Sequence, residues 1–101
     1  PEVDCYNVDI ISIGANSTVS QKSFLCSASH NVRDKNHPLI TGPINIEKNV
    51  WIAADSFIGM NIKIGEGAIV GARSAVFKDV QPWTIVGGNP AKYIKNRILN
   101  D

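Results

Sequence analysis

Aliphatic residues recur at every sixth position along most of the chain. The longest series consists of Ile46, Ile52, Ile58, Ile64, Val70 and Val76. An earlier series has the same spacing at Ile13, Val19 and Leu25. A period of six fits neither the helical repeat of about 3.6 nor the strand alternation of about 2. The residue two positions before each aliphatic is often apolar or small, and such a pair lies on one face of a short strand. The pattern therefore predicts one short strand in every hexad.

The positions between these strands are rich in residues that accept tight corners. They include Gly59, Gly65 and Gly71, directly after an aliphatic residue, and Asn49, Asn61 and Gly67, between strands. Glycine and asparagine tolerate the left-handed backbone that a sharp corner needs. A strand and a corner in every hexad predict a triangular coil with three strands, about 18 residues, in each turn. Stacked turns then bury the aliphatic column as a continuous interior.

The hexad pattern is interrupted once. Between His30 and Pro43 the aliphatic spacing disappears, and the segment is polar with several turn formers. This predicts a loop over about residues 31–43 that leaves the coil. Loops ejected from repeat proteins often carry the binding face, so we expect this loop to overhang a site.

The pattern ends after Val80. A Gly-Gly-Asn-Pro turn follows at residues 87–90. We therefore divide the chain into a coil domain, residues 1–90, and a short C-terminal helix, residues 91–101, whose apolar side carries Ile94 and Ile98. Such a helix would cap the open end of the coil, where strand edges would otherwise be exposed.

The composition is that of a soluble globular protein. Of the 101 residues, 44% are hydrophobic and 19% are charged, which is close to the average for folded domains. The formal net charge of +1 is too balanced for a nucleic-acid binder that depends on many phosphate contacts. No apolar run approaches the roughly 20 residues of a membrane span. We therefore expect a cytoplasmic protein that binds neither nucleic acid nor membrane.

The N-terminus and the cysteines add two further expectations. The acidic start lacks an initiator methionine and the apolar stretch of a secretory signal, so we expect a fragment or a processed chain. Cys5 and Cys26 do not have the spacing of a metal or redox motif. We expect both to be free thiols, as is usual in the cytoplasm.

Three stretches of the sequence resemble the hexapeptide-repeat acyltransferases. They are residues 46–52, residues 64–72, and Lys78-Asp79-Val80 leading to Gly88-Asn89-Pro90-Ala91-Lys92. Within that family the chain is most similar to sugar O-acetyltransferases of the maltose, galactoside and colanic-acid-biosynthesis type. The resemblance implies a left-handed parallel β-helix, acetyl-CoA as co-substrate, no metal, and a saccharide acceptor. It also implies a homotrimer with the active sites between subunits.

His30 is the candidate catalytic base. Transfer of an acetyl group from a thioester to a hydroxyl requires removal of the hydroxyl proton, and histidine has an unperturbed pKa near 6.5 that suits this step. His30 stands where the hexad pattern meets the predicted loop, and it matches the family's catalytic histidine. His37 lies within the loop and is a candidate for contact with the acceptor. Neither cysteine is placed to form an acyl-enzyme, so we expect direct transfer.

The remaining candidates follow from the resemblance. Those near the cofactor are Trp51, Ala54, Gly71, Ala72, Phe77, Lys78 and Lys92, with Arg73 as a weaker candidate. Those near the acceptor are Asp4, Tyr6 and Asn7, together with His37. Trp51 lies between two inward-facing aliphatics, so its side chain is expected to point out of the coil. Ala54 and Phe77 depart from the serine and threonine found in many relatives, so cofactor contacts there would differ.

Other functions remain open at this stage. A hexapeptide-repeat carbonic anhydrase needs three histidine ligands for zinc. This chain has two histidines, which argues against that function. An N-acetyltransferase acting on an amino-sugar nucleotide would share the fold, the cofactor and the base. A truncated, non-catalytic trimeric scaffold is the alternative from a different class.

Overall fold

The computed structural model describes residues 3–6, 9–30, 35–36 and 38–100, without the side chains of Tyr6 and His30. In these residues all regular structure is β-strand. The strands are β1 (Asp4–Tyr6), β2 (Ile11–Ile13), β3 (Thr18–Val19), β4 (Phe24–Cys26), β5 (Ala28–His30), β6 (Leu39–Thr41), β7 (Ile44–Ile46), β8 (Trp51–Ile52), β9 (Phe57–Ile58), β10 (Ile62–Ile64), β11 (Ile69–Val70), β12 (Ala75–Val76), β13 (Thr84–Gly87) and β14 (Lys92–Asn96). No helix in the described ranges is long and apolar enough to cross a membrane.

The strands form a coil with three faces. Face 1 contains β1, β4, β9 and β12; face 2 contains β2, β7 and β10; face 3 contains β3, β8, β11, β13 and β14. Pairing within each face is parallel, except where β14 joins β13. Since the chain visits face 2, face 3 and face 1 in that order, every third strand returns to the same face. The predicted all-β coil of parallel strands is confirmed.

The strand register shows where the ejected segment leaves the coil. On face 2, Ile62 pairs with Ile44, and Ile44 pairs with Ile11. The first pair is one ordinary coil turn apart in the sequence, whereas the second pair is separated by almost twice that length. The additional chain between the first and second coil turns is the ejected segment. It leaves at the corner between face 1 and face 2, and its stem is the antiparallel pair β5–β6, in which His30 is opposite Leu39.

The aliphatic column lies inside the coil. All six residues of the longest hexad series are at most 1% exposed: Ile46, Ile52, Ile58, Ile64, Val70 and Val76. They stack in register, with Ile46 on Ile64, Ile52 on Val70 and Ile58 on Val76. The earlier series is less enclosed because it forms the first coil turn. Leu25 is fully buried there, whereas Ile13 is 47% exposed.

The corners use more residue types than the sequence predicts. Asn49, Asn61 and Gly67 have the expected positive φ, near 60° to 70°. The other non-glycine residues with positive φ are Asn16, Lys22, Asp55, Arg73 and Trp83. A left-handed residue other than glycine or asparagine is unfavourable by itself. Backbone hydrogen bonds between successive corners offset that cost, for example from Arg73 N to Ala54 O at 3.0 Å.

Glycine after an aliphatic residue serves a different purpose from the one predicted. At Gly65 the next coil turn passes so closely that a Cβ would lie 2.5 Å from the backbone nitrogen of Pro82. Gly65 is therefore needed for the close approach of two backbones and not for a left-handed φ. Gly67 meets both requirements, because its φ is +72° and a Cβ would lie 2.3 Å from the Trp83 ring.

The predicted helix at residues 91–101 is wrong. Residues Lys92–Asn96 form β14, which pairs antiparallel with β13 across a bulge between Ile85 and Val86. The segment is too short for a helix to be stable without strong packing, and the free edge of β13 offers unpaired backbone groups. The Ile94 side chain uses the space left by Gly87, where a Cβ would lie 2.9 Å from it.

Arg97 ties the end of the chain to the coil. Its backbone nitrogen donates to Trp83 O at 2.8 Å. Its guanidinium donates to Asn49 O at 2.9 Å and Gly67 O at 3.0 Å, and lies 5.7 Å from the centre of the Trp83 ring. One side chain therefore spans three successive corners between face 2 and face 3.

We predict that Arg97→Ala lowers the free energy of unfolding by about 2 kcal/mol, because hydrogen bonds from a charged donor and a cation–π contact are lost together. Urea unfolding at a fixed protein concentration measures the change. Lys95→Ala, an exposed position in β14 two residues before Arg97, is the matched control and should change stability by less than about 0.5 kcal/mol. Equal effects of the two substitutions would contradict the prediction.

Candidate active site

The backbone of His30 is placed by the stem of the ejected segment. Ala28 and Ser29 precede it in β5 and line a cavity of about 290 Å³ on the outside of face 1. The other lining residues are Cys26, Phe57, Gly59, Met60 and Phe77. The candidate base therefore belongs to a strand that forms one wall of a largely apolar cavity.

Three phenylalanines form a row across the outside of face 1. The ring centres of Phe24 and Phe57 are 5.7 Å apart, and those of Phe57 and Phe77 are 5.8 Å apart. These separations are typical of favourable aromatic pairs. Phe77, predicted to be near the cofactor, is 57% exposed at the end of this row. The Phe77 ring is thus part of an aromatic surface.

Trp51 lies on the outside of face 3, as its position between Val50 and Ile52 predicts. It is 46% exposed, and its indole Nε1 donates a hydrogen bond to Ser20 Oγ at 3.0 Å. Its neighbours along the face are Thr18 and Ile69, which pair with it from the adjacent coil turns. The indole is therefore held against the coil on one side and open to solvent on the other.

Ala54 and Ala72 meet at the corner between face 3 and face 1. They line an open cavity of about 630 Å³ together with Gln21, Lys22, Asp55 and Arg73. Arg73, the weaker cofactor candidate, has its Nε 3.9 Å from Asp55 Oδ2, and both side chains are exposed. The small alanine side chains leave the backbone of this corner open to a ligand.

Gly71 is held next to this cavity by a column of buried serines, Ser23, Ser56 and Ser74. Ser56 Oγ lies 2.9 Å from Ala53 O and 3.1 Å from Gly71 O, and its one hydroxyl proton is shared between these two acceptors. Gly71 N donates to Val86 O at 2.8 Å. The column thus fixes the backbone that leads into Ala54 and Ala72.

The two lysines lie near the last coil turn. Lys78 lines a cavity of about 180 Å³ between that turn and the final strand, with Thr84, Ala91 and Tyr93 among its walls. Lys92 is exposed at the start of β14, opposite Gly87. The structure does not bring these cations together with Trp51 at one point of a single chain.

The acceptor candidates are only partly described. Asp4 is exposed in β1 and its backbone nitrogen donates to Ser23 O at 2.9 Å. Tyr6 ends the same strand, and only its backbone is described. Asn7 and His37 lie outside the described residues. Their predicted contact with an acceptor stays a prediction.

The predicted site residues divide into two groups on opposite sides of the coil. His30 is at the corner between face 1 and face 2, whereas Trp51 is on face 3, which lies opposite that corner in a triangular section. Ala54, Gly71 and Ala72 lie at the corner between face 3 and face 1. The backbone of His30 and the side chain of Trp51 therefore lie on opposite sides of the coil.

Several residues in these surfaces were missed in the sequence. Phe57 and Ser20 gave no signal by themselves, because each is an ordinary outward or corner position in one hexad. Phe24 pairs with Phe57 on face 1. The ejected segment lengthens the sequence separation between the first two coil turns, so this aromatic pair can be recognised only when the length of that segment is known. Ser56 and Ser74 are separated by one ordinary coil turn, and this spacing was a usable signal.

The described residues contain no group of three or more His, Cys, Asp and Glu side chains that could hold a metal ion. Cys5 is exposed and Cys26 is half-buried, and both are free thiols. Cys26 Sγ donates to Ala28 O at 3.1 Å. Its thiol is therefore engaged within the wall of the face 1 cavity.

Proteins named as acetyltransferases are among the sequence relatives of this chain. Over 97 residues it is 40% identical to WcaF of Escherichia coli K12, named as a colanic acid biosynthesis acetyltransferase, and the match covers 96% of this chain and 53% of WcaF. The chain thus spans about half the length of this relative. No family model matches the chain.

Solved structures of acyltransferases share the fold. A galactoside acetyltransferase in complex with coenzyme A has a TM-score of 0.89 and 29% identity, over 93% of this chain and 48% of that protein. AntD, an N-acyltransferase from Bacillus cereus in complex with dTDP and coenzyme A, has a TM-score of 0.88 and 27% identity, over 95% of this chain and 58% of AntD. The sequence relative and the structural neighbours described above are therefore all acyltransferases.

We predict that Ser56→Ala lowers the free energy of unfolding by about 1 to 2 kcal/mol, because the buried hydroxyl that donates between Ala53 O and Gly71 O is lost. Ser12→Ala, an exposed serine on face 2, is the control and should be nearly neutral. Chemical denaturation of both variants measures the difference. A neutral Ser56→Ala would show that the serine column does not hold this corner.

Proposed function

Because this chain is a homologue of the hexapeptide-repeat acetyltransferases, we propose that it transfers an acetyl group from acetyl-CoA to a hydroxyl group of a saccharide. The observation that carries the proposal is the position of His30 at the end of β5, directly after two residues that line the face 1 cavity. A base supplied next to a largely apolar cavity could act on a hydroxyl from which water is partly excluded, and the strand that lines this cavity ends at His30. We also propose that the coil is left-handed, as the family resemblance implies.

The proposed reaction is a direct transfer. His30 accepts the proton of the acceptor hydroxyl while the oxygen attacks the thioester carbonyl, and backbone N–H groups stabilise the oxyanion that develops. The C–S bond then breaks, and the thiolate of coenzyme A receives the proton from His30. No covalent acyl-enzyme is needed, and the Cys26 thiol already donates to Ala28 O.

The active assembly proposed here is a homotrimer. The backbone of His30 and the side chain of Trp51 lie on opposite sides of one coil, and in this proposal a neighbouring chain brings the two residues into one groove. The groove between two chains would then combine His30 from one side with Trp51, Ala54, Gly71 and Ala72 from another. Phe77, Lys78 and Lys92 would contact the cofactor toward the end of the coil, with the lysines near its phosphates.

We expect His30→Ala to lower kcat by about 100- to 10,000-fold, the usual effect of losing a general base. The dissociation constant of acetyl-CoA, measured by calorimetry, should change little because the base acts on the acceptor. Ser12→Ala, an exposed residue on face 2 outside the proposed groove, is the control and should keep full activity. Loss of activity in both variants, or in neither, would contradict the role given to His30.

A second candidate is N-acylation of an amino sugar, favoured by the similarity to AntD. The two reactions share the cofactor and the base, so the acceptor alone separates them. We expect a panel of saccharides and matched amino sugars to yield ester products that alkaline hydroxylamine cleaves. Amide products, which resist that treatment, would show that the chain is an N-acetyltransferase.

A further inference from the structure

We propose that Ser20 is a positioning residue that holds the Trp51 indole at the rim of the corner cavity lined by Ala54 and Ala72. The inference rests on the proposed function, in which Trp51 borders the cofactor groove. Its structural basis is the hydrogen bond from Trp51 Nε1 to Ser20 Oγ, 3.0 Å long. This bond joins two side chains on the outside of face 3 that are 31 residues apart in the sequence.

Ser20 offers its hydroxyl from a fixed backbone. Its nitrogen donates to Ile52 O at 2.8 Å, and its carbonyl accepts a bond from Ser23 N at 3.4 Å. The first bond belongs to the ladder that connects the first coil turn to the second, and the second bond closes the corner. Substitution of the side chain therefore leaves the backbone of this corner in place.

Trp51 needs such support because nearly half of its surface is exposed. An exposed indole on a short strand can adopt several side-chain rotamers. The bond to Ser20 selects one of them. Tryptophan donates only through Nε1, so a single acceptor is enough to fix the direction of the ring.

The hydrogen bond places the indole nitrogen beside the chain segment that enters the corner cavity. Ser20 immediately precedes Gln21 and Lys22, which line that cavity together with Ala54 and Ala72. The indole nitrogen, held beside Ser20, is therefore at the edge of the surface where the small residues leave the backbone accessible.

This arrangement makes a specific prediction about binding. A preorganised ring loses less conformational entropy when the cofactor arrives, so loss of the serine hydroxyl weakens acetyl-CoA binding. We expect Ser20→Ala to raise the dissociation constant of acetyl-CoA by about 3- to 10-fold, the range of one ordinary hydrogen bond. The value of kcat at saturating acetyl-CoA should stay within about twofold of wild type, because the ring does not take part in the chemistry.

The experiment combines NMR with calorimetry on the full chain. The chain has two tryptophans, Trp51 and Trp83, so its ¹⁵N-labelled form gives two indole N–H signals, which Trp51→Phe assigns. In Ser20→Ala the Trp51 signal should move and exchange faster with water, while the Trp83 signal stays unchanged. Ser20→Thr retains a hydroxyl and should restore both the signal and the affinity. Ser12→Ala, on face 2, is the matched control.

The outcomes separate the inference from the proposed function. If the wild-type chain does not bind acetyl-CoA, the proposed function fails and the inference fails with it. If Trp51→Ala binds as tightly as wild type, the place given to Trp51 in the groove is wrong. If Trp51→Ala binds weakly but Ser20→Ala binds like wild type, only the inference is overturned. Weak binding by Ser20→Ala, rescued by Ser20→Thr, supports it.

Discussion

The in-register stacking of aliphatic side chains inside the coil is the interaction on which the rest of the structure depends. Most strands of the coil have only two or three residues, and such short strands are not stable alone. Burial of residues such as Ile46 and Ile64, at about 25 cal/mol per Å² of apolar surface, stabilises the ladder as a whole. The parallel hydrogen bonds continue through the corners, so one register is kept along the entire column.

This constraint also determines the geometry of the candidate site. Neighbouring strands are about 4.8 Å apart. Equivalent outward residues of successive coil turns are therefore close enough to contact one ligand together. Ala54 and Ala72 form one open corner in this way, and Phe57 and Phe77 form one aromatic surface. The same register places His30 and Trp51 on opposite sides of the coil, which is why the proposed site requires two chains.

Polar side chains supply the hydrogen bonds that the corners of the coil need and that the aliphatic column cannot provide. Among the described residues, every buried side-chain nitrogen or oxygen has a hydrogen-bond partner. The Ser56 hydroxyl donates inside a corner, between Ala53 O and Gly71 O, and Arg97 donates to two carbonyl oxygens on the outside. Unsatisfied carbonyls at such corners would cost about 1 to 3 kcal/mol each. The need to hydrogen-bond the carbonyl oxygens at the corners therefore explains residues that the hydrophobic periodicity does not.

The sequence alone determined the coil and its interior, because a period of six in Ile and Val reports directly which side chains face inward. It also located the interruption after His30. It could not determine the C-terminal segment, since Ile94 and Ile98 fit a helical spacing and only the free edge of β13 selects a strand. The left-handed conformations of Asp55, Arg73 and Trp83, and the bond between Ser20 and Trp51, were decided by the tertiary structure. Each depends on contact between coil turns that are far apart in the sequence, and local propensity carries no information about such contacts.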